Sequence, residues 1–187
     1  MELKAAANNE TRIRMVYAGL LGVAQGIFKL IQELDYSAIE FHIYGTGPER
    51  TEIESFIEKH SDLPLYYHGE LTREELHEAL GEYDLTIIPL LTRIYGSVPS
   101  KIFEYAKLGL PILYFGGGEG EDIIEKYKLG WSVEVGNYEK LNTALSNIHK
   151  SGLGIEVRRL IYEVAHSQFD LKSQVEALLR KIERLDQ

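Results

Sequence analysis

The sequence has no cysteine, which excludes disulfides, thiolate metal sites and a cysteine nucleophile, and fits a reducing compartment. It is also short of cations. Lys+Arg 20 against Asp+Glu 29 leave a net charge of -9, so a nucleic-acid backbone is not expected as the main partner. Local basic spots could still hold a diphosphate. No apolar run approaches the roughly 20 residues that a membrane span requires, so the chain reads as soluble, with peripheral membrane attachment left open. Residues 1–12 (MELKAAANNETR) lack the apolar core of a signal peptide and read as a linker or a cut end. The six histidines (His42, His60, His68, His77, His149 and His166) show no metal-ligand spacing such as HExxH, and most read as surface or packing residues. Neither Asp-x-Asp nor a Gly-x-Ser-x-Gly elbow occurs, so a carboxylate-held metal and a serine hydrolase are not expected.

What is present is a regular alternation. With 187 residues and 44% hydrophobic content, the chain suffices for one α/β domain over residues 13–187 and is too short for two. Short apolar runs at Ile13–Ala18, Ile39–Tyr44, Leu63–His68, Leu85–Leu90, Pro111–Phe115 and Trp131–Val135 read as strands. Several are apolar nearly throughout, as in strands covered on both faces. Helix signals separate them. Pro48 suits the first position of a helix over Thr51–Lys59. Thr72 and Glu75 form a capping-box pattern, and Asn137 can cap a helix carrying Leu141, Ala144, Leu145 and Ile148. The expected fold is a Rossmann-like, doubly wound, six-stranded parallel sheet with extra C-terminal helices over Ile155–Ala165 and Asp170–Leu185. Leu171, Val175, Leu178, Leu179, Ile182 and Leu185 form an apolar stripe on the second of these helices.

An open parallel sheet binds ligands outside the carboxyl ends of its strands, so the loops there are where chemistry is expected. The most informative is GSVPSKIFEYAKLGLPIL, Gly96–Leu113. Pro99 stands where a helix should begin. Free backbone N–H groups of Ser100, Lys101 and Ile102, the hydroxyls of Ser97 and Ser100, and the charge of Lys101 would together seat a phosphate. Glu104, one turn in, could accept hydrogen bonds from both hydroxyls of a ribose. On this chemistry alone an ordinary capped helix explains the segment equally well. In the first loop, VYAGLLGVAQGI, the glycines Gly19, Gly22 and Gly26 allow close backbone approach to a ligand, and also suit a plain tight turn. The run Gly116–Gly120 reads as a mobile loop or a long turn at the rim of the site.

These segments resemble the donor-binding domain of GT-B-fold retaining glycosyltransferases, group 1 or family 4-like, that assemble bacterial capsules, O-antigens and exopolysaccharides. Glu104-Tyr105-Ala106-Lys107-Leu108-Gly109-Leu110-Pro111 looks like the family's Glu…Ala-x-Gly-x-Pro segment. The family's earlier Glu is replaced here by Gly96. The first loop resembles Gly-Arg-Leu…Lys-Gly, with Leu20 and Gln25 where the family has cations. FHIYGTGP (Phe41–Pro48), His68-Gly69-Glu70-Leu71 before Glu74-Glu75-Leu76, and Tyr83-Asp84 before LTIIPL follow in the family's order.

The resemblance implies a nucleoside-diphosphate-sugar site. Glu104 would hold the ribose. The backbone of Val98, Pro99, Ser100 and Lys101, with Ser97, Gly19, Gly22 and Gln25, would hold the diphosphate, and Gly69, Glu70 and Leu71 would lie beside the nucleobase. It implies no cofactor and no metal, a saccharide or lipid-linked saccharide acceptor reached through a missing N-terminal domain, and a cytoplasmic enzyme at the inner face of the membrane. The domain alone would then be inactive. A sugar-nucleotide epimerase half-domain and a non-enzymatic nucleotide-binding module stand as alternatives.

Overall fold

The structure, a computed structural model, describes residues 12–91, 96 and 98–169. Strands and helices alternate along the chain: β1 (Ile13–Ala18), α1 (Ile27–Glu33), β2 (Ile39–Tyr44), α2 (Arg50–Lys59), β3 (Leu65–Tyr67), α3 (Arg73–Leu80), β4 (Leu85–Pro89), α4 (Ser100–Lys107), β5 (Ile112–Phe115), α5 (Glu119–Tyr127), β6 (Gly130–Val133) and α6 (Tyr138–Asn147). A short 3₁₀ turn, Lys150–Leu153, leads into α7 (Ile155–Gln168). All pairings are parallel, in the order β3-β2-β1-β4-β5-β6. The six-stranded, doubly wound expectation is met.

Period-two alternation sorts the strand residues between two apolar layers. Ile13, Met15 and Tyr17 of β1, Ile39, Phe41 and Ile43 of β2, and Leu113 and Phe115 of β5 face α1, α2 and α6. Val16 and Ala18 of β1 and Ile112 and Tyr114 of β5 face α4, α5 and α7. Helix α7 is tied down by a buried charge: Arg158 donates from Nη1 to the Tyr83 carbonyl at 3.0 Å and from Nη2 to the Gly81 carbonyl at 3.3 Å.

On the β2–β3 side of the second face, aromatic and imidazole rings replace aliphatic side chains. His42 stacks on Tyr66 and His68 at centroid distances of 4.8 and 5.1 Å, and Tyr44 stacks on His68 at 4.6 Å. The His42 Nδ1 and His68 Nε2 atoms are 2.8 Å apart, and the Tyr44 and Tyr83 hydroxyls 2.9 Å apart. Burial pushes the His42 pKa down to about 4, so the imidazole is neutral.

Local signals held with small shifts. Thr72 and Glu75 form the reciprocal capping box, and the Asn137 side chain accepts from the Lys140 N–H. Pro48 is not the first helical residue: α2 begins at Arg50 behind Glu49, whose carboxylate is used elsewhere. Gly116–Gly120 is not an open loop. Gly116 follows directly on β5, α5 begins at Glu119, and Gly116 and Gly120 both lie against the Tyr114 ring, where a Cβ would come within 2.7 and 2.6 Å. The expected helix over Asp170–Leu185 lies outside the described residues.

Candidate functional site

The chain winds outward from β1 to β3, then returns to place β4 on the other side of β1. Strand order therefore reverses between β1 and β4, and a crevice opens at that switch point. The β1–β4 ladder pairs Met15 with Leu85 and Val16 with Thr86, while β1 continues to Ala18. Tyr105 of α4 closes the base of the gap, its hydroxyl donating to the Ala18 carbonyl at 2.9 Å.

The loops above β1, β2 and β3 are joined by backbone hydrogen bonds. Gly19 N–H donates to the Tyr44 carbonyl at 3.0 Å, Leu21 N–H to Thr46 at 2.9 Å, and Gly45 N–H to Gly69 at 2.7 Å. Gly45 has φ 129, and a Cβ there would stand 1.8 Å from the Gly19 oxygen, so no other residue fits.

Two adjoining cavities occupy this end of the sheet. One, of about 250 Å³, is lined by residues including Gly19, Tyr44, Thr46, Glu70, Leu71 and Leu76. The other, of about 270 Å³, is lined by residues including Tyr17, Gln25, Pro89, Pro99 and Ser100. Leu20 and Lys101 belong to both. Lys101 thus stands at the junction. Its Cε would lie 3.0 Å from a Cβ at position 19, so a side chain there would push against it. Burial lowers its pKa, partly offset by Glu104.

Helix α4 has Pro99 at its N-cap and no side-chain cap. The Ile102 N–H is not free, as the sequence suggested, because it donates to the Pro99 carbonyl at 3.1 Å as the first turn closes. No acceptor among the described residues meets the Ser100 or Lys101 N–H. Val98 lines neither cavity; it is half-buried against the α4–α7 layer, and Ser97 lies outside the described residues. Glu104 also lines neither cavity. Its Oε1 accepts from His77 Nε2 at 3.1 Å, across from α3. Nothing in the local sequence pattern singles out His77 or joins it to a partner on another helix.

The first loop is arranged differently. Gly22 is buried and lines neither cavity; its carbonyl accepts from the N–H groups of Gln25 and Gly26, making it a turn residue. The α1 N-terminus is filled by Glu49, whose Oε2 accepts from the Phe28 N–H at 3.1 Å. A carboxylate already in place disfavours a phosphate there. Gln25 does reach the second cavity, but its Oε1 is turned against Gly22, buried and without a hydrogen-bond partner. Of the expected nucleobase-side residues, Glu70 and Leu71 line the first cavity, while Gly69 stands behind as the acceptor for Gly45. Sequence reasoning missed Tyr44, Thr46 and Leu76, which complete that wall. Among the described residues no group of three or more His, Asp or Glu is placed to hold a metal ion, and no helix is long and apolar enough to cross a membrane.

The model of the family described as glycosyl transferases group 1 matches residues 12–151. The chain belongs to this family. No curated protein matches it. Among solved structures, a mutant of S. aureus TarM in complex with fondaparinux, alpha-GlcNAc-glycerol and UDP superposes with a TM-score of 0.69 at 20% identity, covering 96% of this chain and 37% of that one. Anabaena HepE in complex with UDP gives 0.71 at 12% identity, covering 93% and 49%. The C-terminal domain of the group 1 family glycosyl transferase LpcC from Francisella tularensis gives 0.65 at 13% identity, covering 90% and 97%. The chain has the fold of a GT-B C-terminal domain, as the motifs implied. The chain spans well under two thirds of the length of TarM and HepE.

Proposed function

We propose that the chain is the nucleoside-diphosphate-sugar-binding domain of a retaining glycosyltransferase that builds a cell-surface polysaccharide such as a capsule, O-antigen or exopolysaccharide. The observation that carries this reading is the pair of cavities meeting at Lys101 over the β1–β4 switch point, with the uncapped N-terminus of α4 opening on the second. The nucleoside occupies the cavity between Tyr44, Thr46 and Leu71. The diphosphate lies at the junction, against Lys101 and the Ser100 and Lys101 N–H groups, and the sugar extends into the second cavity. Glu104 takes the ribose hydroxyls at the edge of the first. Lys101 and the helix N-terminus neutralise the leaving diphosphate without a metal. TarM and HepE, which share this fold, have each been solved in complex with UDP, which supports a nucleotide as ligand.

The acceptor, a saccharide or lipid-linked saccharide, is held by a second domain outside this sequence, at the inner face of a membrane. Transfer requires the acceptor hydroxyl in near-attack geometry, and an open sheet end supplies no such wall. Calorimetry with uridine, guanosine and adenosine diphosphates tests the reading. One of them binds, Glu104→Ala weakens it by about 1.5–3 kcal/mol, as for a hydrogen bond to a charged group, and the chain alone turns over no sugar nucleotide. Unchanged affinity in the folded mutant would remove the ribose assignment, and robust transfer by the 187-residue chain would remove the requirement for a second domain.

A further inference from the structure

We infer that His77 is a positioning residue for Glu104, fixing its carboxylate to receive the two hydroxyls of the donor ribose; this rests on the donor-site reading above. Glu104 alone is a flexible side chain on a helix surface, with free rotation about its last bond. A vicinal diol needs two acceptor oxygens side by side at one angle. His77 supplies the constraint that Glu104 lacks. An ionised carboxylate only accepts, so Nε2 carries the proton and donates to Oε1 at 3.1 Å. Oε2 has no hydrogen-bond partner among the described residues. Oε1 keeps a second lone pair, so both oxygens remain available to hydroxyl donors.

Helix α3 is well placed to act as the bracket. The capping box between Thr72 and Glu75 fixes its first turn, and Arg158 holds the Gly81 and Tyr83 carbonyls just past its end. His77 lies between these two anchors. Its neighbour Leu76 lines the nucleoside cavity, as does Lys101, one turn before Glu104. The pair therefore sits at the edge of that cavity. It is not sealed away: the side chains are 37% and 31% exposed, so a ligand can reach the carboxylate. A pair serving only to hold α3 against α4 would gain nothing from this exposure, since surface ion pairs stabilise by little.

The test uses the intact chain and uridine, guanosine and adenosine diphosphates, each with its 2′,3′-dideoxy analogue, titrated by calorimetry. Wild type is expected to prefer the ribonucleotide by about tenfold or more, and Glu104→Ala to abolish that preference. His77→Ala should cut the preference to about threefold or less while leaving dideoxynucleotide affinity near wild type. His77→Gln, whose amide can donate, should restore much of it. His77→Phe fills the space without a donor and should behave as His77→Ala does, should the alanine variant fold poorly. If His77→Ala and His77→Phe weaken both ligands equally and leave the preference intact, His77 only packs and the inference is overturned. If wild type shows no preference, or binds none of the nucleotides, the donor-site reading itself falls and takes this inference with it.

Discussion

Helices α1 and α4 follow the two strands that flank the switch point, yet their N-termini are finished in opposite ways. The start of α1 lies behind a glycine-rich turn, the sequence feature most often associated with phosphate binding, but Glu49 has filled it with a carboxylate from the β2–α2 loop. The start of α4 lies behind Pro99, carries no side-chain cap, and places Lys101 at the junction of two cavities. Glycines permit a backbone to approach an anion. The charge already present decides whether an anion is wanted. On that ground the proposed diphosphate site is placed at α4 and not at α1.

The largest effect that could break this comparison is at Lys101. Lys101→Ala should weaken nucleoside-diphosphate binding by about 2–3 kcal/mol, the upper range for hydrogen bonds to charged groups. Because burial lowers the Lys101 pKa, its charge is lost at a lower pH than that of an exposed lysine. Wild-type affinity should therefore decline early on the alkaline side, and the variant should lack that decline. Calorimetry across neutral to alkaline pH reads both; full affinity in Lys101→Ala would return the diphosphate to α1.

Glu49→Ala is the matching change on the other helix. Loss of a capping carboxylate should cost about 0.5–2 kcal/mol of stability in urea unfolding, with nucleotide affinity little changed. A loss of binding as large as that of Lys101→Ala would make the two helix starts equal partners. The smallest effect is expected from supplying cations beside the capped helix. Leu20 is 60% exposed and borders both cavities, so Leu20→Arg with Gln25→Lys should tighten binding by less than about 1 kcal/mol and fade as salt rises. No gain at any ionic strength would show that this loop faces away from the phosphates.

The fold was legible because its signals are local. Alternating apolar runs, a Thr-x-x-Glu box and an Asn cap each specify their element within a few neighbours, and all of them appear as expected. Strand ends moved by a residue or two: β3 forms over Leu65–Tyr67 rather than Leu63–His68, and β6 over Gly130–Val133 rather than Trp131–Val135. The site was legible as far as one helix and one loop carried it, which is why Lys101, Gly19, Glu70 and Leu71 fall on the cavity walls. What the sequence concealed depends on distant partners. Glu49 reaches Phe28 across 21 positions and His77 reaches Glu104 across 27, and no periodicity encodes either meeting. The glycines at Gly116 and Gly120 resemble flexibility in a string of letters; in space they make room for one tyrosine ring.

Gly19 and Gly45 contribute backbone to the wall of the first cavity, with Gly45 closed onto the Gly19 carbonyl so tightly that a methyl group cannot enter. Mutation therefore has little to act on there: replacement at Gly45 breaks the loop junction before it alters any contact with a ligand. Variation remains open at the rim, where Leu20, Thr46 and Glu70 project side chains that hold no part of the junction together by their own atoms. A lineage built on this domain would change its donor by trading those side chains over an invariant base, much as a lock is rekeyed by its pins and not by its housing.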